Sequence, residues 1–468
     1  MLYVVLEPAP MLGIDINSTF VISQPRAQIS CPRLIIIGVA ILFAAFQPAR
    51  SVDVYNANGR SAVVEVKFLG AIQAAKGINY GIGAFDTLGE TERQTLSLGM
   101  RPQVDLAWEL SNSTLYSTFS MVAATTVLDG ELSGQIVRSG DRAIDTDSTK
   151  IGWKNDTFDL SVGGQDFAVG DGFFIGDGNF NKGAADGQYW IGAFTAWRNS
   201  AVLRVDTKPI RGDIFWLRSD DDLGDARIAG VNLETTTKDT FGTLGLMFLE
   251  IYDDNDALAL AGMQVASIRG ADIKIPGIDN LKFFGEFVMQ RGESNFTGRD
   301  NNSNAWYVEG NYRFDSVPWT PTLFFRYSHF SGDEGDTTDS EEYHGAFYTI
   351  FKRDWDTWYQ GEITGEFHLF NQNQKTMLTK MKVYPRADLS LGAWYYNHDL
   401  DTPQYFGIPV TDTDWSEEIN VGMEYYPSNR FYTFLGFAWG TPHQGAIDAI
   451  GGHDDIFVLE MFVSYTYR

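Results

Sequence analysis

Charged side chains recur at every second position along this chain, each set against an apolar neighbour. In residues 94–110, Arg101, Gln103, Asp105 and Glu109 alternate with Leu96, Leu98, Met100, Val104, Leu106 and Trp108. In 281–291, Lys282, Glu286 and Gln290 alternate with Leu281, Phe283, Phe287 and Met289. Arg326 stands against Leu323, Phe325 and Tyr327, while Lys380 and Lys382 stand against Met381 and Val383. In 359–370, Glu362, Glu366 and His368 oppose Ile363, Phe367 and Leu369. A period of two puts successive side chains on opposite faces of a strand, so each segment has one apolar face and one face of mixed charge. Such a surface suits a wet conduit for polar or charged solutes. It suits equally an ion-pair network that holds a wall in place.

Other chemistry is sparse. The six histidines are scattered, with no pair at metal-ligand spacing. There is no Gly-x-Ser-x-Gly elbow and no phosphate-binding loop. The reading is therefore of a non-enzymatic chain without metal or cofactor. Acidic runs such as Asp220-Asp221-Asp222 and Asp253-Asp254-Asn255-Asp256 lack the spacing of a known calcium loop and read as solvated loops. A net charge of −26 argues against nucleic acid as a partner.

The elements that must position these side chains are strands. After residue 50 there is no apolar run of 18 residues, which excludes spanning helices and leaves a closed barrel as the structure able to satisfy its backbone in hydrocarbon. Strand-like segments recur from about residue 62 to the end, some twenty in all. They include 157–168, 187–198, 200–207, 320–331, 359–370, 374–384, 387–397 and 415–427. Single-chain bacterial barrels have even strand numbers, so we expect a single transmembrane antiparallel β-barrel of about eighteen strands, with sixteen or twenty as alternatives. Short gaps at Arg198-Asn199-Ser200 and Pro385-Arg386 read as hairpins, and those at 126–144, 169–186, 332–358 and 398–414 as longer external loops.

Residues 1–51 read as an export signal, with a leading stretch that resembles a mis-chosen start. Arg33 precedes the apolar run 34–46, and Ala49-Arg50-Ser51 offers a small-x-small cleavage pattern. Cleavage after Ser51 would remove Cys31, the only cysteine, and leave 52–468 as the barrel. The expected location is the bacterial outer membrane, in contact with its lipid and lipopolysaccharide. Leu459, Met461, Val463, Tyr465 and Tyr467 alternate as a last barrel strand should, but the chain stops at Arg468, one residue short of the terminal aromatic that the barrel-insertion machinery recognises.

Several short motifs resemble the alginate export family of outer-membrane porins. They are Ser161 to Gly172 (Ser-Val-Gly-Gly-Gln-Asp-Phe-Ala-Val-Gly-Asp-Gly), Ala193 to Arg198, Tyr327 to Asp333, Trp358-Tyr359-Gln360-Gly361 and Leu391 to Tyr396. The resemblance covers most of residues 60–468. It implies a channel that passes a polysaccharide or another anionic or sugar solute through an arginine-rich constriction. Gln165 and Asp171 match the family's pattern, whereas Gly164 stands where it has a lumenal arginine. The alternative expectation is a general or solute-selective diffusion porin for small-molecule uptake.

Overall fold

The computed structural model describes residues 52–467 except 131, 133–141, 177–189, 194, 196, 222–223, 236–240, 256–258, 296, 336, 346, 350, 353–355 and 359. The signal segment read in 1–51 lies outside the described residues. Among the described residues no helix is long and apolar enough to cross a membrane.

Alternating sequence becomes one antiparallel sheet. Its first strands are β1 (Arg60–Lys76), β2 (Glu92–Glu109), β3 (Thr114–Leu128), β4 (Arg142–Lys154), β5 (Phe158–Gln165) and β6 (Trp197–Asp206). Next come β7 (Ile210–Arg218), β8 (Arg227–Thr235), β9 (Thr243–Asp253), β10 (Met263–Ile275), β11 (Ile278–Glu293) and β12 (Asp300–Arg313). The sheet ends with β13 (Thr322–Phe330), β14 (Gln374–Arg386), β15 (Leu389–Leu400), β16 (Asp414–Ser428), β17 (Phe431–Pro442) and β18 (Ile456–Tyr467). Each strand pairs with the next. β18 pairs with β1, from Val66↔Tyr467 to Lys76↔Phe457, and so closes an eighteen-stranded barrel. A short strand, Val52–Ala57, folds back on the start of β1.

Connections alternate in length around the barrel. One end carries tight turns such as 155–157, 207–209, 276–277 and 387–388. The other carries the long segments 129–141, 166–196, 331–373 and 401–413. In outer-membrane barrels the tight turns face the periplasm and the long loops face out.

Parity sets the faces as expected. Leu98, Met100, Leu106, Trp108, Phe287, Met289, Leu323, Met381 and Leu391 are all exposed, and Phe325 is 52% exposed. These residues form the apolar band that meets lipid. Their neighbours Glu286, Arg326, Lys380 and Lys382 are turned inward and buried.

Two of the twenty expected strands do not form. In 187–198 the described residues before Trp197 are not strand; β6 then runs unbroken through Arg198-Asn199-Ser200, so no hairpin lies there. The described part of segment 359–370 lies inside the barrel and contains a π-helical turn, Gly365–Leu369. Neither segment has an edge to join, because β5 pairs directly with β6 and β13 pairs directly with β14, from Thr322↔Lys382 to Phe330↔Gln374. Ile363 and Leu369, expected to face lipid, are buried against Trp415, Leu400 and Ile456, with Phe367 packed at the cluster's edge. The pattern that misleads here is ambiguous. Ile363 and Phe367, like Glu362 and Glu366, are four apart and fit a helical turn as well as a strand face.

Candidate functional site

The loops expected to stand outside carry too many aromatic residues to be solvated. In segment 166–196, Phe167, Val169, Phe173, Phe174 and Ile175 are buried, and in segment 331–373 so are Tyr343, Phe347, Tyr348 and Trp358. The described parts of both segments fold into the bore. They form one apolar cluster with inward residues of the wall, among them Phe215, Leu249, Val265, Val288 and Phe330. Burying each such ring contributes about 1.5–3 kcal/mol, which offsets the cost of ordering a long loop. The lumen is therefore not uniformly charged as the parity argument implied; part of it is filled by a hydrophobic plug.

Backbone and side-chain hydrogen bonds fix how the two loops meet. Thr349 N donates to Gly172 O at 2.8 Å and Gly176 N to Phe347 O at 2.7 Å. The Trp358 indole donates to Asp171 O at 2.9 Å, and its ring stands 4.8 Å from both Phe173 and Tyr307. The Asp171 carboxylate accepts from the Tyr307 hydroxyl at 2.8 Å. The flanking glycines are required. Gly170 and Gly172 have φ of +61° and +73°, and a Cβ at either would lie 2.7 Å from Arg269 Cδ or 2.3 Å from Thr349 Cγ2. The Gly-Asp-Gly motif is thus the hinge that lets the loop dip against the wall.

The same loop reaches the opposite wall. Ile191 and Ala193 pack on Leu69, Ala71, Val122 and Ala124 of β1 and β3. Arg101 donates to Gly192 O at 2.6 Å and pairs with Asp147 at 3.2 Å. Described parts of one loop therefore touch both sides of the barrel.

The other candidates divide by environment. Gln103 donates to Asp105 at 2.7 Å, and Asp105 also accepts from Thr118, so these form a local network on the wall. Glu109 is exposed at the turn end of β2. Lys282 pairs with Asp272 at 3.0 Å and is well exposed to the lumen. Arg326 is 0% exposed, paired with Glu309 at 3.6 Å and stacked 4.8 Å from the Trp358 ring, so its guanidinium anchors the plug. Lys380 is buried between the rings of Phe324 and Trp394, and Lys382 pairs with Glu424 at 2.6 Å. Gln165 is buried between Ser161 and Ser200. Gly164 has no space for an arginine: a Cβ there would lie 2.8 Å from Thr149 Oγ1.

Two cavities remain beside the plug. One, of about 220 Å³, is lined by Asp171, Arg211, Glu234, Arg269, Glu286 and Tyr307 among others. The second, of about 760 Å³, lies toward the tight-turn end and is lined by Lys274, Asp279, Lys282, Arg313, Phe324 and Tyr384 among others. Asp272 and Phe284 line both, so the two lie side by side along the barrel wall. In the smaller cavity Arg269 donates to Asn232 at 2.5 Å and to Glu234 at 3.0 Å, and Glu234 also pairs with Arg211. Sequence reading missed Arg211, Glu234 and Arg269; the signal that could have found the last two is the alternation with Leu233 and Ile268, which face out.

His368 makes the loop region acid-sensitive. Burial pushes its imidazole down to about 3, and its Nε2 meets Asn79 Oδ1 at 3.3 Å. The unfolded imidazole protonates near 6.5. Stability is thus complete above about pH 6.5 and falls as pH drops toward 3, by up to about 1.4 kcal/mol per unit. We expect open-channel noise and a lowered melting temperature in that window, both reduced in His368→Phe. Identical pH profiles for the two proteins would exclude this role.

A closed eighteen-stranded barrel with a lipid-facing apolar band and loops folded into its bore defines an outer-membrane β-barrel. No family model and no curated protein sequence matches the chain. Among solved structures it is similar to OprD of Pseudomonas aeruginosa, with a TM-score of 0.55 and 12% identity over 90% of this chain and 99% of that one. It is similar also to OccK5 (OpdH) of the same organism, with a TM-score of 0.54 and 10% identity over 86% and 98%. A third is OpdK of that organism, solved with vanillate, with a TM-score of 0.53 and 9% identity over 86% and 98%. These likenesses establish the fold. They overturn the resemblance to the alginate export family, and with it the polysaccharide-secretion reading: the neighbours are OprD and Occ barrels. The motifs that suggested it, Gly-Asp-Gly above all, are explained by loop packing.

Proposed function

We propose that this chain is a solute-selective porin for the uptake of small water-soluble molecules, without enzymatic activity. The observation that carries the reading is the pair of adjacent cavities, about 760 and 220 Å³, beside a loop-filled bore. These are volumes suited to a small molecule, and the walls supply charges of both signs. At the tight-turn end Lys274, Lys282 and Arg313 face Asp272 and Asp279, which favours small organic acids at that mouth. OpdK, a neighbour in fold, was solved with such an acid, vanillate.

The test is reversal potential and block in planar bilayers. Vanillate-sized acids should pass or block at millimolar concentration, while long oligosaccharides should not enter. Lys282→Gln should leave Asp272 without its lysine and shift permeability toward cations by roughly two-fold, as a partly exposed pair worth a few tenths of a kcal/mol allows. A channel indifferent to small acids would refute the reading.

A further inference from the structure

We propose that a divalent hard cation, calcium by the chemistry of its ligands, binds inside the barrel between the loop residues Glu362 and Glu366 and the wall residues Glu460 and Asn420. One carboxylate oxygen from each glutamate lies within 4.8 Å of the others. Three carboxylates alone do not make a site; the second observation is Asn420. Its side chain is 5% exposed and lines, with Glu362 and Glu460, a cavity of about 20 Å³, room for one water-sized body.

The orientation of the Asn420 amide is determined by its surroundings. Glu418 accepts the backbone N–H groups of Glu362 at 2.6 Å and Thr364 at 3.0 Å, so its carboxylate acts as an acceptor. The Asn420 nitrogen must therefore be the atom that donates to Glu418, at 2.8 Å. Its Oδ1 is turned away and has no hydrogen-bond partner among the described residues. Glu460 is 4% exposed, its Oε1 accepts from Gln73 at 2.7 Å, and the rest of its carboxyl lies against the loop glutamates. A buried acceptor left without a donor is costly, and a cation in the shared cavity satisfies it together with the carboxylates. An all-oxygen donor set selects calcium or magnesium over transition metals. Ligands drawn from a loop and two strands suit calcium's adaptable coordination, with water completing it. The ion would fasten the inner part of segment 331–373 to β16 and β18.

The experiment uses the full-length barrel in detergent, stripped with EDTA and titrated with calcium chloride by calorimetry. Terbium chloride serves as a second probe, because Trp394 lines the cavity and would sensitise its emission. One saturable site per chain, terbium emission displaced by calcium, and a calcium-dependent rise in melting temperature are expected. Glu362→Gln and Glu460→Gln should each weaken binding at least about ten-fold. Should Glu460→Gln fail to insert, the loop variant Glu362→Gln decides. Absence of a saturable site would overturn the proposal and mean that the carboxylates share protons. Binding unchanged in both variants would also overturn it, assigning calcium to exposed acidic loops. Neither readout depends on what the channel transports.

Discussion

Trp358→Ala should widen the channel. The residue is fully buried and joins the plug to the wall. It donates to Asp171 O, packs on Phe173 and Tyr307, covers the Arg326 guanidinium, and its own main-chain carbonyl accepts from Asn371 at 2.7 Å. Removing so large a buried ring costs about 3–5 kcal/mol through lost burial and the cavity left behind. The barrel wall does not depend on this residue, because β13 and β14 pair without segment 331–373. The loss should therefore fall on the loops: higher single-channel conductance and a separate, earlier melting step. Trp358→Phe keeps most of the packing and loses only the N–H bond, worth about 1 kcal/mol, so it should remain near wild type. A Trp358→Ala channel with wild-type conductance would show that the two loops do not set the bore.

Leu391→Arg should impair insertion, and the neighbouring face should tolerate change. Leu391 is 38% exposed on the outer surface, registered between Val383 of β14 and Met423 of β16. An arginine on the lipid face costs about 2–4 kcal/mol at the midplane and less toward the interface, and Leu391 stands on the turn side of its strand, Leu389–Leu400. Met423→Arg, in the same register, should behave alike. Glu424 is one residue from Met423 but points inward to Lys382, Ser390 and Tyr432. Glu424→Gln should leave insertion intact and alter only the lumen. Folding into lipid vesicles, followed by the heat-dependent gel shift typical of barrels, measures this directly. Equal tolerance on both faces would refute the division into a lipid face and a lumen face.

Much of the wall was legible in sequence. Segments such as 94–110, 281–291 and 415–427 alternate so regularly that strand, register face and lipid contact follow from the period alone. Strand number was legible only within limits, since 187–198 and 359–370 carry strand-like patterns yet find no free sheet edge. Side-chain direction likewise says little about accessibility. Lys282 and Arg326 both point inward, yet one faces a wet cavity and the other is sealed under Trp358.

The difference is one of range. A barrel wall is built from pairings between strands adjacent in sequence, and its faces obey a local rule, so residues 94–110 announce their own orientation. The bore is decided by contacts between residues far apart in sequence. Asp171 meets Tyr307 and Trp358, Arg101 holds Gly192, and Glu362 approaches Glu460. No local period encodes such contacts. The aromatic residues of segments 166–196 and 331–373 carried a signal for burial that the reading of those gaps as external loops passed over. Only the closed barrel, with every strand edge already paired, determined that the burial would be inward.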